Sequence, residues 1–267
     1  MLRSLKDLES YKVHAIDGDI GKVTDFLFDD SHWTIRYLDT DPGGFWTSPG
    51  RVLISPIAFL KADWATRKFN LALTQEKVKN SPSIEVDKPV SRQFERDYSK
   101  YYGWPYYWGF GDTLAWGDGV YGEVLAETTT EQLVQPEQDL SGDPHLRSAK
   151  DVAGYHLHGS DGSIGHVADF IVDDETWAIR YLVIDTSNWW LGKKVLVSPY
   201  WTQKISWSES MVYVNLTKEA IKNSPQWNPE DLVNRQYEER LYDYYGRPAY
   251  WSRDSSKDNF LFSPPVL

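Results

Sequence analysis

No cysteine occurs in the 267 residues. This excludes disulfides, thiolate zinc sites and cysteine nucleophiles, and it weakly favours a reducing, cytoplasmic setting. Nor is there a run of about 18 apolar residues, and the opening "MLRSLKDLES" is charged at Lys6, Asp7 and Glu9. Neither a membrane span nor a secretory signal is expected, which leaves peripheral membrane contact as the form of membrane association still open. Runs of Lys or Arg are missing as well. With 28 basic against 39 acidic residues and a formal net charge of -11, the chain should repel phosphate backbones, and nucleic acid is not an expected partner.

The acidity is concentrated. Residues 109–144 hold Asp112, Asp118, Glu123, Glu127, Glu131, Glu137, Asp139 and Asp143 with no Lys or Arg. The segment lacks a sustained period of 2 or 3.6 and reads as a linker. The chain is also rich in 13 Trp and 17 Tyr, a heavy aromatic load for a globular protein.

The flanks of the linker repeat each other. "LRSLKDLESYKVHAIDGDIGKVTDFLFDDSHWTIRYLDTD" aligns with "LRSAKDVAGYHLHGSDGSIGHVADFIVDDETWAIRYLVID", and the match resumes as "RVLISP" with "KVLVSP", "LTQEKVKNSP" with "LTKEAIKNSP", and "YYGWPYYW" with "YYGRPAYW". The period suits a small complete domain rather than a solenoid repeat. Four segments follow: a first unit at 1–108, the linker at 109–144, a second unit at 145–254 and a tail at 255–267.

Within each unit, short β-branched and aromatic runs punctuated by Gly, Pro and Asp read as strands. A hairpin over 22–40 that sets Phe28 against Trp33 also sets Phe26 against Ile35 and Asp25 against Arg36. The second copy gives Val172 against Trp177, Phe170 against Ile179 and Asp169 against Arg180. Thr74 is the N-cap of a short helix that stops at Pro82. Val90, Phe94, Tyr98 and Tyr101 then follow at helical spacing, ending at Gly103, for a helix of about four turns. Val233, Tyr237, Leu241 and Tyr244 repeat the stripe. The expected fold is mainly β with helices: two small barrels of five to six antiparallel strands, each followed by a short helix and a longer amphipathic one.

The order of an Asp-Gly turn, "IGKV", an acidic strand end, "IRYL", a Gly-containing loop, "VLISP" and "LTQEKVKNSP" resembles the PRC-barrel family over about residues 2–83 and 146–226. That family takes its name from the photosynthetic reaction centre, whose H subunit carries such a barrel on its cytoplasmic side. A related barrel ends the ribosome maturation factor. The resemblance implies a binding or assembly module without family-wide catalytic residues and without a cofactor. It also keeps in view a membrane-complex assembly role like that of the H subunit and a ribosome-associated role.

The candidate sites are weighed on their chemistry. Asp17-Gly18 and Asp161-Gly162 suit turns that need a positive φ, and Gly21 and Gly165 suit a bulge or close backbone approach. A calcium loop fails on spacing. Asp29-Asp30 and Asp173-Asp174 suit a loop in which carboxylates accept nearby backbone N–H groups. Asp25 with Arg36, and Asp169 with Arg180, read as cross-strand charge compensation. Paired acids of a hydrolase would need a fixed separation across a cleft, which the sequence does not supply. His156, His158 and His166 are a weak metal candidate on adjacent strands. The aromatic ends, with Tyr101, Tyr102, Trp104, Tyr107 and Trp108 in one copy and Tyr244, Tyr245, Tyr250 and Trp251 in the other, suit packing on their own barrel or an interface between units or chains. The expected role is a non-catalytic protein-binding scaffold that self-associates through its repeats or as a homodimer, with an unknown protein partner.

Overall fold

The computed structural model describes residues 1–43, 51–82, 90–107, 146–187 and 193–253, with the side chains of Lys61 and Arg253 set aside. The linker at 109–144, the tail at 255–267 and Trp108 lie outside the described residues. No helix among those described is long and apolar enough to cross a membrane.

The first half contributes β1 (Leu2–Ser4), α1 (Leu5–Leu8), β2 (Lys12–Ala15), β3 (Gly18–Asp29), β4 (Thr34–Asp41), β5 (Val52–Ile54), β6 (Phe59–Asp63), β7 (Lys68–Leu71), α2 (Gln75–Lys79) and α3 (Arg92–Tyr102). The second half repeats the order as β8 (Leu146–Ser148), α4 (Ala149–Val152), β9 (His156–Gly159), β10 (Gly162–Asp173), β11 (Ile179–Asp185), β12 (Lys194–Val197), β13 (Thr202–Ser206), β14 (Met211–Val214), α5 (Lys218–Asn223) and α6 (Arg235–Tyr245). The short α7 (Tyr250–Arg253) ends the described chain.

Each half forms a sheet of its own strands in the order β5-β4-β3-β2-β7-β6, or β12-β11-β10-β9-β14-β13. Among the described residues neither sheet closes into a barrel. Between β5 and β6 the chain turns sharply through Pro56–Ala58, where Ala58 N–H donates to the Ser55 carbonyl at 2.9 Å, and the two strands are not paired. The pairing is not antiparallel throughout either, because β2 runs parallel to β7 and β9 to β14.

The seventh strand of each sheet comes from the other half. Strand β3 is twelve residues long; β2 covers its edge over Gly18–Lys22, and β8 continues along Leu27–Asp29. Reciprocally, β1 pairs with Ile171–Asp173 of β10. Each exchanged strand runs straight into its four-residue helix, α1 or α4, which buries Leu5 and Leu8 or Ala149 and Val152. The hairpin tips also meet. Trp33 and Trp177 adopt left-handed conformations, with φ of 53° and 60°. Trp33 O accepts from Ile179 N–H at 2.7 Å and Trp177 O from Ile35 N–H at 2.9 Å. One continuous core results, in which Phe28 meets Phe170 at 5.7 Å and Trp177 meets Phe59 at 5.3 Å and Phe69 at 5.8 Å. The outer face of the first sheet, Leu27, Tyr37 and Leu53, is roofed by Tyr98 of α3 and by the exchanged Leu146.

The hairpin register differs from that expected. Phe28 faces Ile35, Phe26 faces Leu38 and Asp25 faces Asp39; Val172 faces Ile179, Phe170 faces Leu182 and Asp169 faces Val183. Two causes act together. The tip spends four residues on a turn in which Trp33 N–H donates to Asp29 O at 2.7 Å, and register shifts between Leu27 and Phe28 and between Val23 and Asp25 displace the strand further. Helix α3 begins at Arg92 behind the N-cap Ser91 and is eleven residues long, about three turns. Its buried face carries Tyr98 as expected together with Glu95 and Ser99, while Phe94 is half-buried against the same cluster and Tyr101 is not buried.

Thr34 and Ala178 form an antiparallel bridge between the hydrogen bonds of the two tips. This non-hydrogen-bonded geometry sets Cα atoms about 4.5 Å apart, within disulfide reach. In the cysteine-free chain, Thr34→Cys with Ala178→Cys should oxidise to a cross-link within one chain. Mass spectrometry should find the linked peptide at monomer mass, and a covalent dimer would contradict the intrachain arrangement.

Candidate functional site

The Asp-Gly turns act as caps. Asp17 accepts from the Gln75 amide at 2.7 Å and Asp161 from the Lys218 amide at 2.7 Å, so each turn holds the first residue of α2 or α5. Gly18 and Gly162 have φ of 156° and 127°. At Gly21 and Gly165 a Cβ would lie 2.0 and 2.2 Å from the carbonyl oxygens of Asp41 and Asp185, so the backbones there approach too closely for any side chain.

Asp25 and Asp169 do not meet Arg36 and Arg180. They bind the arm of the other half. Ser148 Oγ donates to Asp25 Oδ2 at 2.5 Å and Lys150 N–H to Asp25 Oδ1 at 3.1 Å. In the mirror arrangement Ser4 Oγ donates to Asp169 Oδ2 at 2.5 Å and Lys6 N–H to Asp169 Oδ1 at 3.2 Å. Both serines are also N-caps, accepting from Asp151 and Asp7. Each carboxylate therefore satisfies the first turn of a helix from the opposite half, where free N–H groups otherwise need partners. Flanking arginines repeat the exchange: Arg147 reaches Asp30 at 2.8 Å and lies over Trp207, while Arg3 reaches Asp174 at 2.6 Å and lies over Trp64.

Burial pushes both Asp25 and Asp169 up, and their hydrogen bonds only partly offset it. Asp29 is the opposite case. Burial would raise it, yet the His32 hydrogen bond at 3.0 Å and the Arg36 guanidinium at 3.3 Å outweigh that and hold it well below the usual carboxylate range. Arg180 reaches Asp173 at 3.6 Å. These arginines thus answer acids of their own hairpin tip and not the expected Asp25 and Asp169.

The aromatic ends turn inward. Tyr107 donates to the buried Glu95 at 2.9 Å and its ring lies under Arg36; Tyr250 and Tyr181 donate to Glu238 at 3.0 and 2.8 Å, with Arg180 over Tyr250. Burial raises Glu238, against the hydrogen bonds and the nearby arginines. Trp104 stacks on Tyr102 at 4.3 Å, Tyr245 packs on Trp201 and Trp251 on Tyr242. Tyr101 and Tyr244 close over the short helices by donating to the carbonyls of Lys77 and Ala220, each at 2.8 Å. The described members of this set thus make contacts within their own half, and Tyr102 and Trp104 also pack on the cluster that the exchanged Leu146 joins.

His156 and His166 are register partners, but His158 turns to Ser163 at 3.0 Å and to the Tyr213 ring. Among the described residues no three His, Asp or Glu side chains are placed to hold a metal. Ser4, Ser148, Arg3, Arg147, Glu95 and Glu238 were passed over in the sequence. A signal existed in the repeated "LRS" followed by "KD", and in "RQFE" with "RQYE", where Arg92 and Arg235 reach the glutamate three residues on.

Residues 149–221 match the model of the PRC-barrel domain family. No curated protein matches the chain.

The two raised carboxylates bind protons more tightly in the folded chain than in the unfolded one. Their contribution to stability is therefore full below the ordinary carboxylate value and is lost as pH rises through their folded values, whereas that of Asp29 appears above the ordinary value and is lost on acidification. Asp25→Asn with Asp169→Asn keeps an acceptor for Lys150 and Lys6. It should change stability at neutral pH by less than ~1 kcal/mol, with the parent gaining on the variant as pH falls towards ~4. Alanine at the same sites should cost about 1–3 kcal/mol each in denaturant melts. Equal behaviour of Asn and Ala would remove the capping role.

Proposed function

We propose that the chain is a non-catalytic scaffold of two PRC-type units that binds a protein partner, with its repeats associated inside one chain. The match at residues 149–221 supports the domain type of the second half. The same sheet order in the first half supports extending it there. The observation that carries the reading is where the buried acids are spent. Asp25, Asp169, Asp29, Glu95 and Glu238 each face a helix N-terminus, an arginine, a histidine or a tyrosine of the fold. General acid and base work needs such groups to reach a substrate. These reach structural partners.

Light scattering at two concentrations should give one monomer mass. Immobilised full-length chain should retain a defined protein at fixed stoichiometry from its native lysate, with ester and glycoside hydrolysis at background. Recovery of only ribosomal RNA or its proteins would overturn the reading, as would turnover that Glu238→Gln abolishes.

A further inference from the structure

A cleft of about 280 Å³ opens where the first half's exchanged arm meets the second half. One wall is Leu2, Asp7 and Tyr11; the other is the segment from Trp227 to Val233 that leads into α6. That second wall is held in shape. Trp227 N–H donates to Lys194 O at 2.9 Å, its indole N–H donates to Asp231 O at 3.2 Å, and Asp231 N–H donates to Asn228 O at 2.9 Å. The cleft therefore stands open before any ligand arrives, and it exists only because the arm has crossed over.

Its charges are of two kinds. Arg3 is bound to Asp174 and stacked on Trp64, and Arg67 donates to Asp7 O at 2.8 Å and stacks on Tyr11. The carboxylates of Asp7, Glu230 and Asp231 are exposed and make no hydrogen bond or ion pair among the described residues. Beside them Leu232 is 62% exposed, a large apolar side chain held out in water. The volume is slightly below the range that engulfs a drug-sized molecule and suits one or two side chains of a segment laid across it.

We propose that this cleft binds a cationic peptide segment of a partner protein, with Lys or Arg side chains meeting Asp7, Glu230 and Asp231 and an adjacent apolar side chain packing on Leu232. The proposal rests on the scaffold reading and names the chemistry of its partner. Free carboxylates attract cations, and engaged arginines offer little to an anion.

The test uses the full chain and fluorescein-labelled Gly-Leu-Lys-Leu-Arg-Gly, with Gly-Leu-Glu-Leu-Glu-Gly as the reversed control, read by anisotropy. The cationic peptide should bind, more weakly at high salt, and the acidic one should not. Glu230→Lys with Asp231→Lys should weaken binding about tenfold or more, and Leu232→Ser should weaken it as well. Glu219→Lys with Glu239→Lys, an equal charge change elsewhere on the surface, should leave it unchanged. Equal binding of both peptides, or equal loss in the two charge variants, would overturn the cleft. So would a tenfold gain in affinity on Phe260→Ser with Leu261→Ser and Phe262→Ser, which would assign the cleft to the chain's own tail. If the partner captured by the parent is retained in full by the Glu230→Lys, Asp231→Lys chain, the scaffold role stands and the cleft does not.

Discussion

The last three residues of each long strand have no neighbour within their own half on the side of β2 or β9. Everything else in the arrangement answers that vacancy. A three-residue strand is far too short to fold alone, and a four-residue helix cannot sustain itself in water. Joined as arm and crossed over, they complete a sheet edge that would otherwise invite foreign strands. The arm brings its own unsatisfied amides with it, and Asp25 or Asp169 is waiting at the edge to accept them. The carboxylate thus replaces water at a helix end, and its burial is the cost of placing that acceptor where two halves meet.

The contrast between neighbouring aspartates shows how the tip and the seam divide the charge. Asp29 sits among an arginine, a histidine and loop amides, all of which favour its ionised form. Asp25, four residues earlier, has hydroxyl and amide donors, with Asp39 opposite adding repulsion. The same residue type is therefore ionised with ease at one position and reluctantly at the other. The difference lies in whether a full positive charge or only dipoles come to meet it.

Much of the fold was legible because its signals are local. The repeat, the Thr74 cap and the left-handed Gly103 are each set by residues within a few positions or by the internal copy, and the close approach of Gly21 to Asp41 was signalled by a glycine inside a strand. The register was not legible, because Trp33 and Trp177 stand left-handed where bulky residues rarely do, and the tips stay so because each tryptophan carbonyl is bonded by the other half. The role of Asp25 was hidden for a related reason. Its serine lies 123 residues away, while Arg36 stood nearby and offered an electrostatically sensible partner. Glu95 and Glu238 were not legible because an apolar stripe is what helical spacing reveals: Val90, Tyr98, Val233, Tyr237 and Leu241 are buried as that stripe requires, and each half adds a carboxylate under tyrosines beside them.

The crossed arms also impose an order on synthesis. When the ribosome has made the first half, Leu27 to Asp29 present an open edge, and the residues that cover it are still to come beyond position 145. At about 5–20 residues per second the intervening stretch takes a few seconds. During that interval the first sheet is incomplete while β1 and α1, its own leading arm, have no sheet to join. Completion of the first sheet's edge, and a sheet for the first arm to join, therefore both wait on the synthesis of the second half.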